Sequence, residues 1–101
     1  MKVKFENTGE TLFAYLDGEI DHHAVKGIKE QIDGMIKRTK PKRTVLDFKS
    51  VSFSDSSGIA VVIGRYKTMN TIGGKLEVKN TCNQVKKVLN LAGLQKFVKM
   101  D

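Results

Sequence analysis

The sequence predicts an α/β domain built on a mixed sheet, and three stretches carry that expectation. Thr11 to Leu16 sorts its apolar residues onto two faces at a period of two, just after Thr8-Gly9-Glu10, an arrangement that suits an opening hairpin. An amphipathic helical pattern then leads into the short apolar run Thr44–Phe48, and the order strand, helix, strand favours a right-handed crossover with parallel pairing. Finally, Val51 to Lys67 (VSFSDSSGIAVVIGRYK) enters as strand, is interrupted by serines and an aspartate, and leaves as an apolar helical pattern at Gly58. At 101 residues the chain has room for one core, so residues 1–101 are expected to form a single domain of four or five strands and three helices.

Val3 to Asn7 is weakly alternating and suits an edge strand, and in the next strand Leu12, Ala14 and Leu16 share one face with Phe13 and Tyr15 on the other. Asp21 is the expected N-cap of the first helix, because Val25, Ile28, Ile32, Met35 and Ile36 recur on one side as far as about Lys37. Gly27 and Gly34 each cost about 1 kcal/mol there relative to Ala, which predicts close packing against a neighbour. Thr44 to Phe48 is the expected central strand, flanked by a basic loop before it and the serine loop after it, roughly 20 Å apart at ~3.3 Å per residue. In the second helix Ile59, Val62, Ile63, Tyr66 and Met69 form the expected core stripe, placing Val61, Gly64, Arg65 and Thr68 outward. Ile72-Gly73-Gly74 turns into a strand over Lys75–Lys79, and Asn83 caps a third helix bearing Val85, Val88, Leu89 and Ala92. Gly93 and Leu94 suit a Schellman-type stop, after which Phe97 to Met100 closes the sheet.

Forty per cent hydrophobic and 29% charged residues are those of an ordinary globular protein, and no apolar run approaches the roughly 18 residues of a membrane span. With no apolar signal core at the N-terminus, a cytoplasmic location and no membrane partner are expected. The single Cys82 cannot form an internal disulfide, and one cysteine with two adjacent histidines is too few for a structural zinc site, so neither metal nor other cofactor is expected. The net charge of +7 raises nucleic acid as a partner, but its one dense run, Lys37 to Arg43, suits a helix C-terminus and a solvated loop and carries no aromatic residues for base stacking. No nucleic-acid partner is expected.

The serine loop is the candidate site. With Asp55 as N-cap, the N–H groups of Ser56, Ser57 and Gly58 are the first donors of the helix, and a phosphoryl group on a hydroxyl there would be stabilised. Ser and Asp also cap helices with no further role, and on the residues alone both readings stand. Ser54 is expected to face the sheet and Ser57 to be sheltered by the first turn, which leaves Ser56 at the rim. There is no nucleophile elbow or phosphate-binding loop, so no enzyme activity is expected; the minor alternative is a nucleophile–base pair between a helix-start serine and His22 or His23 brought near by folding.

Ser54-Asp55-Ser56-Ser57-Gly58-Ile59, followed by an apolar run and Gly64-Arg65-Tyr66-Lys67, resembles the phosphorylation loop of bacterial anti-sigma factor antagonists, the stand-alone STAS-domain proteins of sporulation and stress regulation. Gly18-Glu19-Ile20-Asp21-His22-His23-Ala24, Val45-Leu46-Asp47-Phe48, Ile72-Gly73-Gly74 and Leu91-Ala92-Gly93-Leu94 fall in the family's order over nearly the whole chain. The resemblance implies the STAS fold and phosphorylation of Ser56, supported by Asp55, Ser57 and Gly58. The expected partners are an anti-sigma factor with serine kinase activity and a serine phosphatase. Asp21, His22, His23, Val61 and Arg65 are the expected partner-binding residues, and the protein is expected to be a monomer or weak dimer. A STAS-type scaffold or nucleotide-sensing module is the alternative within the family. Two departures stand out: relatives commonly have a large apolar residue where this chain has Ser54, and the family's C-terminal helix after the last strand is expected to be absent, since the sequence stops at Asp101.

Overall fold

In the computed structural model, which describes residues 1–101, β1 (Lys2–Thr8) and β2 (Thr11–Ile20) form the predicted hairpin. Thr8 pairs with Thr11 around a two-residue turn that opens on Gly9 at φ 59°, a left-handed conformation glycine adopts without steric cost. The sheet order is β1-β2-β3-β4-β5, with β3 spanning Arg43–Ser54, β4 Lys75–Lys79 and β5 Lys99–Met100. Only the β1–β2 pair is antiparallel.

Both β2 and β3 run further than their alternating patterns suggest. Their register shifts between Tyr15 and Asp17 and again between Gly18 and Glu19, and such irregularities break the period of two without ending the pairing. The consequence is functional, because the extended strands carry Ile20 and Ser54 side by side to the end of the sheet where the serine loop begins.

One sheet face is covered by α1 (Val25–Thr39), α2 (Ser57–Thr71) and α3 (Asn83–Leu91). Leu12, Ala14, Leu16 and Ile20 of β2 meet Leu46, Phe48 and Val51 of β3 and Leu76 and Val78 of β4 in one buried cluster beneath these helices. On the opposite face Phe13 and Tyr15 stack with ring centroids 6.2 Å apart, and Arg43 pairs with Glu77. The Tyr15 hydroxyl donates to Glu6, a bond that holds its pKa above the usual tyrosine value.

α1 buries the expected stripe through Ile28, Ile32 and Ile36, with Val25 and Met35 half-buried. Its start is later than expected: Asp21 opens a turn in which its carbonyl and carboxylate both accept the Ala24 N–H, at 3.1 and 2.9 Å. Its end lies at Thr39, with Lys40 left-handed at φ 46° and Lys37 and Arg38 in the last turn, where cations complement the helix dipole. Gly27 and Gly34, expected at a close contact, are exposed, and nothing lies within 4 Å of a Cβ added at either.

The core stripe expected for α2 holds at Val62 and Met69, but the side expected to face outward does not. Val61 and Arg65 are buried, at 0% and 2% exposure, together with Val62 and Met69, while Ile59, Ile63 and Tyr66 are only half-buried. The reason is its position: α2 packs against α1, β3, β4 and α3, so it is surrounded on several sides. After α3, Gly93 turns left-handed at φ 73° and donates its N–H to Asn90 O, one of the two bonds of the expected stop, while the second, from Leu94 N–H to Leu89 O, is not made. A 3₁₀ turn over Leu94–Lys96 follows, so β5 is shorter than expected and Phe97 lies before it, exposed.

Candidate functional site

The site forms where β2 and β3 both end. The Asp55 N–H donates to Ile20 O at 3.0 Å, tying the serine loop to the residue just before the Asp21–His23 turn. On the other side Gln84 of α3 clamps Ser54: its side-chain oxygen accepts the Ser54 N–H at 3.0 Å and its Nε2 donates to Ser54 O at 2.8 Å. Ser54 is fully buried, as expected for a side chain facing the sheet, and its hydroxyl donates to Asp55 O at 2.8 Å. A Cβ at Gly58 would overlap that hydroxyl and lie 3.2 Å from Ser54 Cβ, so Gly58 is needed for α2 to start this close to β3.

Asp55 does most of the capping. Its carboxylate accepts the Ser57 N–H at 2.7 Å and its carbonyl accepts the Gly58 N–H at 3.1 Å. The helix is therefore counted from Ser57, one residue later than expected, with Ser56 as the N-cap residue. Ser56 is exposed and its side chain makes no capping hydrogen bond. The open row of amides expected behind it is largely taken, by the carboxylate and carbonyl of Asp55.

Between the start of α1 and the start of α2 lies an open cavity of about 390 Å³, lined by His22, Val25, Lys26, Lys29, Ser57 and Ala60. The structure thus brings His22 beside Ser57, while Asp21 and His23 stay on the exposed turn. The two histidine rings meet near edge to face with centroids 5.6 Å apart. Lys26 and Lys29 and the clamp residue Gln84 were missed by sequence reasoning. The two lysines had a signal, a spacing of three along α1 on the His22 side; Gln84 had none, because only folding brings α3 to β3.

Val61 and Arg65 are removed from the candidate docking surface. Arg65 Nε lies 2.8 Å from Asp33 Oδ1, and Nη2 donates to Oδ2 at 3.4 Å, in a buried ion pair joining α2 to α1. Burial lowers the guanidinium pKa, and the Asp33 charge and hydrogen bond act in the opposite direction. No three His, Cys, Asp or Glu side chains gather as a metal site would require, and no helix is long and apolar enough to cross a membrane.

Comparison with known proteins fits this geometry. An anti-sigma F factor antagonist of Paenibacillus polymyxa is 35% identical over 98 residues, covering 97% of this chain and 84% of that protein. The structure of the anti-sigma factor antagonist SpoIIAA in its unphosphorylated form aligns with a TM-score of 0.85 at 30% identity, over 99% of this chain and 88% of that one. Phosphorylated SpoIIAA of Bacillus aligns with a TM-score of 0.75 at 31% identity, over 99% and 91%. A family profile described as STAS domain matches residues 2–101, and the chain belongs to the STAS domain family.

Proposed function

We propose that this protein is an anti-sigma factor antagonist whose unphosphorylated form binds an anti-sigma factor with serine kinase activity and so releases a sigma factor. Phosphorylation of Ser56 ends the interaction, and a serine phosphatase restores it. The carrying observation is the contrast among three adjacent hydroxyls. Ser54 is buried and bonded, Ser57 is partly sheltered in the cavity with His22, and Ser56 alone is exposed at the helix rim without a capping bond. The names of the relatives, and the existence of SpoIIAA in both phosphorylated and unphosphorylated forms, support the same cycle.

The chemistry is that of an electrostatic switch. A phosphate adds about −1.5 to −2 charges beside Asp55, whose carboxylate already satisfies the first amide of α2, so the new charge is repelled locally and faces outward into the interface. The docking surface comprises the Asp21, His22 and His23 turn with Ser56, Ser57 and Ala60, and Lys26 and Lys29 border it on α1. The relatives are regulators, and this reading assigns the chain binding rather than catalysis, in the cytoplasm where its partners act.

The test is incubation with the cognate anti-sigma factor and ATP, followed by intact-mass measurement and peptide mapping. One phosphate on Ser56 is expected, with Ser56→Ala still binding but unlabelled and Ser56→Asp folding normally and binding poorly. Phosphate on Ser57, or undiminished labelling of Ser56→Ala, overturns the assignment.

A further inference from the structure

We propose that a groove at the end of α2 far from Ser56 is a second docking site, and that it takes an acidic amphipathic helix from a partner protein. Two adjoining hollows form it and share a wall made by Tyr66 and Phe97, whose ring centroids lie 6.1 Å apart. The first, about 230 Å³, is lined by Ile63, Ala92, Leu94 and Val98 besides the two rings, with Lys67 its one polar residue. The second, about 670 Å³, is the largest cleft of the molecule and gathers Lys42, Arg43, Lys75 and Lys99 at the starts of β3, β4 and β5. Its single acid, Glu77, is already paired with Arg43. Phe97 is 61% exposed between the two hollows, which is a poor place for a large apolar ring unless something covers it.

The charge distribution chooses the occupant. Lys42 is held by Glu10 and Arg43 by Glu77, which leaves Lys75 and Lys99 without an acidic partner beside the apolar hollow, and these two are complemented by carboxylates beside apolar side chains. A second copy of this chain, itself at +7, would bring mainly positive charge to the same place. The hollows lie side by side across one aromatic wall, so the occupant must present its apolar and acidic sides next to each other. A helix does so along its length, whereas a strand sends them to opposite faces. Concavity favours a protein segment over the flat surface of an anionic membrane. Tyr66 is ten residues beyond Ser56 on α2, about 15 Å along the axis, so the groove is separate from the serine site and does not rest on the reading of Ser56.

The experiment titrates isotope-labelled protein at low salt with two helical peptides that share one leucine stripe, one bearing glutamates on its polar face and the other lysines. The glutamate peptide is expected to shift the signals of Ile63, Tyr66 and Phe97 saturably. It should bind about tenfold tighter than the lysine peptide, as a few exposed ion pairs would give. That advantage should vanish near 1 M salt. Phe97→Ser alone, and Lys75→Glu with Lys99→Glu, should each remove binding without moving the thermal midpoint, since all three residues are exposed. Equal affinity for the two peptides, or no saturable shift, overturns the proposal. So do shifts that follow protein concentration alone, which would identify a second copy, and binding to phosphatidylserine vesicles that the glutamate peptide does not compete away, which would identify a membrane.

Discussion

α1 and α2 have the same length, 15 residues, and lie against each other on the same sheet, yet their sequences disclose very different amounts. α1 is packed on one side, so its apolar residues keep to a single stripe and its glycines, lysines and glutamate face water. α2 is enclosed by α1, α3 and two strands, so apolar residues surround most of it and periodicity no longer distinguishes inside from outside. A charged residue in such a helix is easily assigned to the only polar-looking side. Arg65 was, and it is in fact nine-tenths or more buried and paired with Asp33. Enclosure erases the helical signal, and in an enclosed helix a lone arginine marks a contact with a neighbouring helix as readily as a docking face.

Charge reversal should affect the two helices very differently. Arg65→Glu places two carboxylates in one buried site and removes the tie between α1 and α2, at an expected cost of about 3–5 kcal/mol. Reversing an exposed charge of α1, Glu30→Lys, should change stability by no more than about 0.5 kcal/mol. Urea unfolding measures both. A cost below about 1 kcal/mol for Arg65→Glu would mean that the contact between Arg65 and Asp33 is open to water.

Glycines give the next contrast, with opposite signs. Gly58→Ala forces a Cβ onto the Ser54 hydroxyl at the start of α2 and should destabilise by about 1–3 kcal/mol. Adding Ser54→Ala, which removes that oxygen, should recover part of the loss. Gly34→Ala meets open space in an ordinary helical conformation and should stabilise by about 0.5–1 kcal/mol through helix propensity. If both glycines respond alike in thermal unfolding, the close approach at Gly58 is not what holds it.

These cases also mark what the sequence discloses. The hairpin, the α1 stripe, β4 and the Gly93 stop are legible because each depends on local pattern or on one special backbone angle. The serine loop is legible for the same reason, since strand, hydroxyls and helix follow one another along the chain. The extensions of β2 and β3 are not, because bulges break their alternation. Gln84 reaches the site through tertiary packing, which no spacing near the serines encodes, whereas Lys26 and Lys29 follow His22 at helical spacing.

The smallest expected effect is the most informative for function, and it comes from comparing how the two helices begin. α1 starts with Ala24 as its N-cap residue, which has no hydroxyl, and its entry turn is held by Asp21 three residues earlier. α2 starts with Ser56 in the same position, in the same right-handed backbone conformation, with its entry held by Asp55. Neither N-cap residue makes a side-chain capping bond, and in each case an aspartate instead holds an amide of the entry, that of Ala24 or of Ser57, so the fold does not need the oxygen of Ser56. Ser56→Ala should then alter stability by less than about 0.5 kcal/mol, in contrast to the roughly 1 kcal/mol typical when a bonded capping serine is lost. A loss near the larger figure in urea unfolding would show that the hydroxyl is part of the cap. A negligible change would leave an exposed hydroxyl with no structural task, at the place where the proposed phosphate is added.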